Sequence, residues 1–367
     1  MTQPTHADPG QSGGFLAEIK DAVTTRAALL VLGVLALQLA FITSYIGAFH
    51  DPKPSEIPIA VAAPAERIAE QTAKQLSALP GEPLAPRAVQ DEATALRQIQ
   101  NRDVDGALIV DPTSTTDKLL VASGGGASLS QALEEVVVLV EKTQGRTVRV
   151  VDVAPAAPGD GRALTSFYLV VGWCVGGYLC AAILAISAGA RPANVHRAVI
   201  RLGALFAYAV AAGLLGAVIA DPILDALPGS IWGLWGLGAL VVFAVGAITL
   251  AFQGLAGVVG IGLAILLVVV LGNPSAGGAY PYPLLPPFWR AIGPWLPPGA
   301  GTYAARSIAY FKGNDLTGPL LVLSGWAVLG SAVTLACAAG RRGRAGAAVG
   351  SGLPGEPDAL PDREPAR

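Results

Sequence analysis

Histidine and cysteine are the side chains best suited to hold a metal or attack a substrate, and their spacing in this chain favours neither. His6, His50 and His196 lie far apart, and His196 sits in the basic stretch RPANVHRAVIR, where a solvated imidazole is expected rather than a ligand. Cys174, Cys180 and Cys337 all fall in long uncharged runs, so they read as small apolar packing residues, with no disulfide framework expected. The glycine cluster Gly124-Gly125-Gly126 is not followed by the Lys-[Ser/Thr] pair that a P-loop needs to hold phosphates and Mg²⁺. No G-x-S-x-G element occurs. The expectation is a non-enzyme with no catalytic, cofactor-binding or metal-binding residues. The absence of a basic stripe leaves no nucleic-acid partner to expect.

The elements that would position any site follow from the distribution of charge. Charged residues make up 14% of the 367, about half the globular norm, and the mean hydropathy is +0.55. No Asp, Glu, Lys or Arg lies between Arg26 and Asp51, Arg162 and Arg191, Arg201 and Asp221, Asp225 and Arg290, or Asp315 and Arg341. A spanning helix needs roughly 20 apolar residues. Four of these gaps hold one span each and the Asp225–Arg290 gap holds two. The reading is therefore an α-helical polytopic membrane protein with about six spans, at 27–49, 164–188, 199–220, 230–252, 255–272 and 317–339. The fourth and fifth are separated only by Gln253-Gly254 and form a tight hairpin. The first is a signal anchor preceded by a polar 1–14 and a segment 15–26. That segment is either an amphipathic surface helix or an extension of the span.

Residues 50–163 change character, carrying 11 Lys+Arg and 16 Asp+Glu. Short apolar runs alternate with helical spacing. Strands are expected at 57–63, 84–89, 106–110, 119–123 and 147–153, with helices at 64–79, 91–101 and Leu129–Thr143, and SGGGAS (123–128) as a turn. This is a mixed α/β domain large enough for its own core, inserted between the first and second spans.

Beyond it, residues 164–339 form a five-helix bundle. It is interrupted at 273–316 by a Pro/Gly/aromatic-rich segment, expected as a re-entrant or interfacial hairpin with a short helix at 302–311. A polar, disordered tail is expected at 340–367. Gly172 and Gly176, and Gly229 and Gly233, are four apart, and Gly254, Gly257 and Gly260 follow at threes. Such spacing serves close helix packing, including a homodimer seam, or a flexible gate. Lys and Arg in short loops number 8 on one side (Lys20, Arg26, Arg191, Arg197, Arg201, Arg341, Arg342, Arg344) against 3 on the other (Arg290, Arg306, Lys312). That bias puts both termini in the cytoplasm and the α/β domain outside a plasma membrane, and the Ala/Gly/Val/Pro-rich composition points to a bacterial source. The interiors of the spans carry no Asp, Glu, Lys, Arg or His, Arg201 lying near the end of the third, and this argues against proton- or ion-coupled transport.

The order of elements, with IPIAVAAP (57–64), DVDGALIVDP (103–112), VRVVDVAPAAPGDGRALTSFYLVVGWCVGGYL (148–179) and LPPGAGTYAARSIAYFKG (296–313), resembles the ABC-2-type exporter permeases. The branch it is most similar to has a large extracellular insertion and includes the phage infection protein (Pip) family. The resemblance covers roughly residues 15–340. It implies a permease half that dimerises in the bilayer and is driven by a separate cytoplasmic ABC ATPase. Arg191, Arg197 and Arg201 would lie in the ATPase-docking loop, for which the alternative is plain positive-inside anchoring, and 287–311 would match extracellular re-entrant helices. The rival reading is a membrane-anchored surface protein whose outside domain binds a ligand or partner without transport.

Overall fold

The computed structural model describes residues 24–189 and 191–350, excepting the side chains of Arg26 and of residues 341–350. The expected polar segment 1–14, most of the segment 15–26 and the end of the C-terminal tail lie outside the described residues. Five helices are long and apolar enough to cross a membrane, and a small α/β unit is interposed after the first of them.

Helix α1 (Thr25–Phe49) begins where the Thr24 hydroxyl accepts a hydrogen bond from the Ala27 amide. The α/β unit follows. Strand β1 (Ile57–Ala62) is joined by α2 (Glu66–Ser77) to the parallel β2 (Leu84–Val89). The chain then returns through α3 (Glu92–Gln100) to β3 (Gly106–Ile109), parallel to β1 on its other side. Strand β4 (Thr116–Val121) runs antiparallel to β3, and after α4 (Ala127–Thr143) the last strand β5 (Thr147–Asp152) pairs parallel with β4. The sheet order is β2-β1-β3-β4-β5.

Alternation along the strands divides the core. Ile57, Ile59, Val61, Leu108, Leu119 and Val121 face α2 and α4, whereas Ala60, Ala107 and Leu120 face Ala95 and Ile99 of α3. The two crossovers leave β1 in opposite directions, so right-handed connections put their helices on opposite faces. Every expected strand and helix of this unit is present, with shifts of a few residues at the ends; the largest is at β4, which starts at Thr116 instead of 119.

The apolar helices are α5 (Thr165–Ala188), α6 (Val195–Val218), α7 (Ile231–Ala256), α8 (Val259–Ile265) and α11 (Thr317–Gly350). Between α8 and α11 come α9 (Pro287–Ile292) and α10 (Pro297–Tyr310). Side chains set the starts. Both oxygens of Asp160 accept amides at the head of α5, from Leu164 (2.8 Å) and Thr165 (3.1 Å). Asn194 caps α6 through the Arg197 amide (2.9 Å), and Ser230 caps α7 through that of Gly233 (3.2 Å).

The structure departs from expectation at three places. The break between the fourth and fifth spans falls at Gly257, whose φ of +65° only glycine adopts freely, and not at Gln253-Gly254. The fifth is an apolar helix of 17 residues, Val259–Ser275, made of α8, a π-helical stretch Leu266–Gly272 and one α-turn Asn273–Ser275. It is shorter than the other five and is not among the helices long enough to span by length alone. Finally, α11 continues past 340, where a disordered tail is expected, to Gly350; Ala and Arg, which dominate 341–348, are good helix formers.

Helix α7 is the central and most buried of the long helices, with α5, α6 and α11 around it. The crossings rest on small residues. A β-carbon on Gly177 of α5 would lie 2.6 Å from the Val242 carbonyl, and one on Gly213 of α6 would lie 2.5 Å from the Ala239 amide nitrogen. By contrast, α1 is almost wholly exposed and meets the bundle through its C-terminal half, where the Ser44 hydroxyl donates to the Val270 carbonyl.

Gly177→Ala is expected to cost about 1–3 kcal/mol, because backbone atoms of α7 cannot yield to the added methyl. Gly172→Ala, whose β-carbon meets nothing within 4 Å, is expected to be neutral. Thermal unfolding of both detergent-solubilised variants checks the pair; equal melting temperatures would refute the packing argument.

Candidate functional site

The α/β unit is clamped from both faces. Leu284 and Tyr280, from the segment after α8, complete the core on the α2/α4 face. Phe311 and Tyr310, at the end of α10, complete the core on the α3 face. Hydrogen bonds close the seam between the two parts. The Ser55 amide donates to the Pro283 carbonyl (3.0 Å), the Ser128 hydroxyl to the Ala279 carbonyl (2.8 Å), and the Asn314 side-chain amide to the Gln100 carbonyl (3.0 Å). Arg290 of α9 donates to the Ser55 carbonyl and pairs with Glu56 at 3.2 Å.

Two arginines sit inside this seam. Arg102 follows the C-cap of α3 with a φ of +64°, a conformation that costs a non-glycine residue energy. Its guanidinium lies 3.4 Å from the centroid of the Tyr303 ring, and Nη1 donates to the Tyr303 carbonyl (2.8 Å) and the Ser307 hydroxyl (2.7 Å). Arg306 projects from α10, which is buried along most of its length against α5, α7 and α11. Only 3% exposed, Arg306 donates to the carbonyls of Gly277 (2.6 Å), Gly278 (2.8 Å) and Ala163 (3.1 Å), and its Nε has no partner among the described residues. Burial, and secondarily the charge of Arg102, lowers the Arg306 pKa to about 10, so it stays cationic at neutral pH.

Between these arginines lies a cavity of about 230 Å³, walled also by Asp105, Gly125, Tyr282 and Tyr303. Both phenols are pushed up by burial and remain protonated. Tyr303 donates to Asp315 (2.6 Å), whereas the buried hydroxyl of Tyr282 has no partner among the described residues. Burial, only partly opposed by Arg102, pushes the Asp105 carboxyl up to about 6. Gly125 and Leu129 put the start of α4 on the same wall. The glycine cluster thus opens a helix, and packing explains two of its members. A β-carbon at Gly124 would lie 2.5 Å from the Tyr310 ring, and one at Gly126, already at φ +146°, would collide with Pro281.

A larger crevice of about 690 Å³ opens at the opposite edge of the sheet, outside the carboxyl ends of β1, β2 and β3. Open α/β sheets bind ligands at such edges, but here the charges are largely engaged with one another. Lys118 pairs with Glu92 (2.8 Å), and the buried Asp117 pairs with Arg146. Asp91 caps α3 through the Thr94 amide, and Asp111 accepts from Thr113. The junction cavity, with its unpaired donors, is the stronger candidate.

The residues singled out by spacing lie elsewhere. Arg191 donates to the Leu255 carbonyl (3.0 Å) at the end of α7, and Arg201, buried, donates to Ala188 (2.6 Å) and Gly189 (2.7 Å) at the end of α5. Both neutralise helix C-termini, which leaves Arg197 exposed in the first turn of α6, whose N-cap is Asn194. Gly229 and Gly233 pack on Ile308 of α10. A β-carbon on Gly176 would lie 3.0 Å from the Tyr208 hydroxyl, and Gly172 faces an open apolar groove of about 550 Å³ between α5 and α6. Sequence reasoning passed over Arg102 and Asp105 and counted Arg306 only as a loop charge. The available signal was one cation in the small, apolar run GTYAARSIAY. No family model, curated protein or solved structure matches the chain.

Because folded Asp105 holds its proton more tightly than the unfolded chain, its favourable contribution is complete below about pH 4 and is lost as pH rises through about 6. Asp105→Asn, neutral throughout, should gain melting temperature relative to the parent between pH 5 and pH 8. Thermal scans at the two pH values test this, and a pH-independent difference would show that the carboxyl is not buried as a charge.

Proposed function

We propose that the chain is the permease subunit of an exporter, moving a hydrophobic or amphipathic substrate with energy from a separate ATPase. The observation that carries this reading is the seam itself. The α/β unit is not tethered to the apolar helices but locked to α10, which is packed among α5, α7 and α11. A passive anchor has no use for such a contact, whereas a machine that passes motion between an outside domain and a bundle requires one.

The same contacts support six crossings. Residues 276–311 pack against the α/β unit, so they share its side of the membrane. Gly257, before α8, lies against Arg191, at the opposite end of the bundle. Val259–Ser275 therefore runs from one end to the other despite its 17 residues. Arg290 and Arg306, which weaken the positive-inside count, are spent on Glu56 and on backbone carbonyls. In this reading both termini are cytoplasmic, in a bacterial plasma membrane. The open groove beside Gly172 is the surface for a second copy, and Arg197 is the charge offered to a cytoplasmic ATPase.

The crevice beyond β1 and β3 favours the second reading, a surface protein whose outside domain binds a ligand with no transport. Affinity capture from the native membrane in mild detergent separates the two. The permease reading expects a nucleotide-binding subunit to copurify, and Arg197→Glu to reduce its recovery at least fivefold while gel-filtration behaviour is unchanged. If no such subunit is recovered, and deletion of residues 52–160 abolishes function while Arg197→Glu is silent, the permease reading fails.

A further inference from the structure

The charges of the junction cavity do not balance. Two guanidinium groups line it, Arg102 and Arg306, against one carboxylate, Asp105. Two further carboxylates, Asp160 and Asp315, stand near the arginines and keep their charge, but neither lines the cavity, and their oxygens are held by neutral donors. Asp160 gives both oxygens to the amides of Leu164 and Thr165, and Asp315 receives the Tyr303 hydroxyl. Arg306 is 3% exposed and hydrogen-bonds to carbonyls only; it and Tyr282 both line the cavity, and the Arg306 Nε and the Tyr282 hydroxyl have no partner among the described residues. Each buried donor left unpaired is costly. The start of α4 adds the positive end of a 17-residue helix to the same wall. The volume, about 230 Å³, equals seven or eight waters at about 30 Å³ each, room for one phosphate or carboxylate group with a few waters.

We infer that this cavity binds an oxyanion, a phosphate ester or carboxylate, between Arg306, Arg102 and the Tyr282 hydroxyl, so that the anion bridges the α/β unit and the helical bundle. The three donors come from three separate pieces of chain: the end of α3, the segment after α8, and α10. A bound anion therefore ties the domain to the bundle. Asp105 lines the same space and opposes the anion, which weakens its binding. The inference stands on the junction alone and does not depend on the permease reading.

The test uses the full chain in neutral detergent and follows its melting temperature. One arm titrates inorganic phosphate against chloride of equal ionic strength. The other titrates dihexanoyl phosphatidic acid against the uncharged dihexanoylglycerol. Saturable stabilisation in both arms identifies the oxyanion itself as the ligand. Stabilisation by the lipid alone assigns the site to a lipid headgroup, and by phosphate alone to a soluble anion. Tyr282→Phe removes one hydroxyl, and should weaken the apparent Kd about tenfold, the value of one hydrogen bond to a charged group. Arg102→Gln should weaken it more. Asp105→Asn should tighten it severalfold, a gain that a merely disturbed fold does not produce. The inference is overturned if neither anion stabilises saturably, if Tyr282→Phe leaves the affinity unchanged, or if Asp105→Asn weakens binding, the result expected for a cationic ligand.

Discussion

A guanidinium buried against three backbone carbonyls and no carboxylate constrains everything around it. Arg306 holds Gly277, Gly278 and Ala163 at once, and so joins the segment after α8, the approach to α5 and the body of α10 at one point. Carbonyls satisfy donors without neutralising charge, so the guanidinium stays charged while its geometry is fixed. Arg102 repeats the arrangement from the other side, reaching out of the α/β unit to the carbonyl of Tyr303 and the hydroxyl of Ser307. Between them the two side chains turn what would be a flexible join into a single packed junction.

The bundle beneath is held by a different physics. Lipid offers helices no hydrophobic reason to associate, so contact area and close approach must suffice. Here α7 supplies the surface, and glycines on α5 and α6 let backbones meet it. Arginine also serves at the far end, where Arg191 and Arg201 cap the carbonyl termini of α7 and α5. The chain thus uses the same residue type at both ends of its helices, for opposite purposes. At one end it quenches negative helix termini, and at the other it creates a positive void.

Most of the architecture was legible before any coordinates. Uninterrupted apolar runs located the long helices, since nothing else explains gaps of that length without charge. The α/β unit was legible strand by strand because Ile57, Ile59 and Val61 alternate with smaller residues, a period that admits one conformation. The fifth apolar helix has close to its expected length but lies three to four residues later, because any of several glycines can end the helix before it. The site was not legible. Arg102, Asp105, Tyr282 and Arg306 span more than half the chain, share no motif and meet only through the seam. Spacing drew attention to Arg191 and Arg201 instead, whose proximity in sequence reflects helix capping.

The clamp on the α/β unit also bears on how the protein is made. Both of its hydrophobic cores are finished by residues that leave the ribosome late, Leu284 on one face and Phe311 on the other. Helix α1 precedes them and enters lipid with little help from neighbours, being apolar along its length. The α/β unit must then wait, two small patches uncovered, until α5 to α8 and α10 have been made and packed. Its final stability is therefore acquired only when the bundle closes, so the state of that one domain reports whether the helices around it have been assembled.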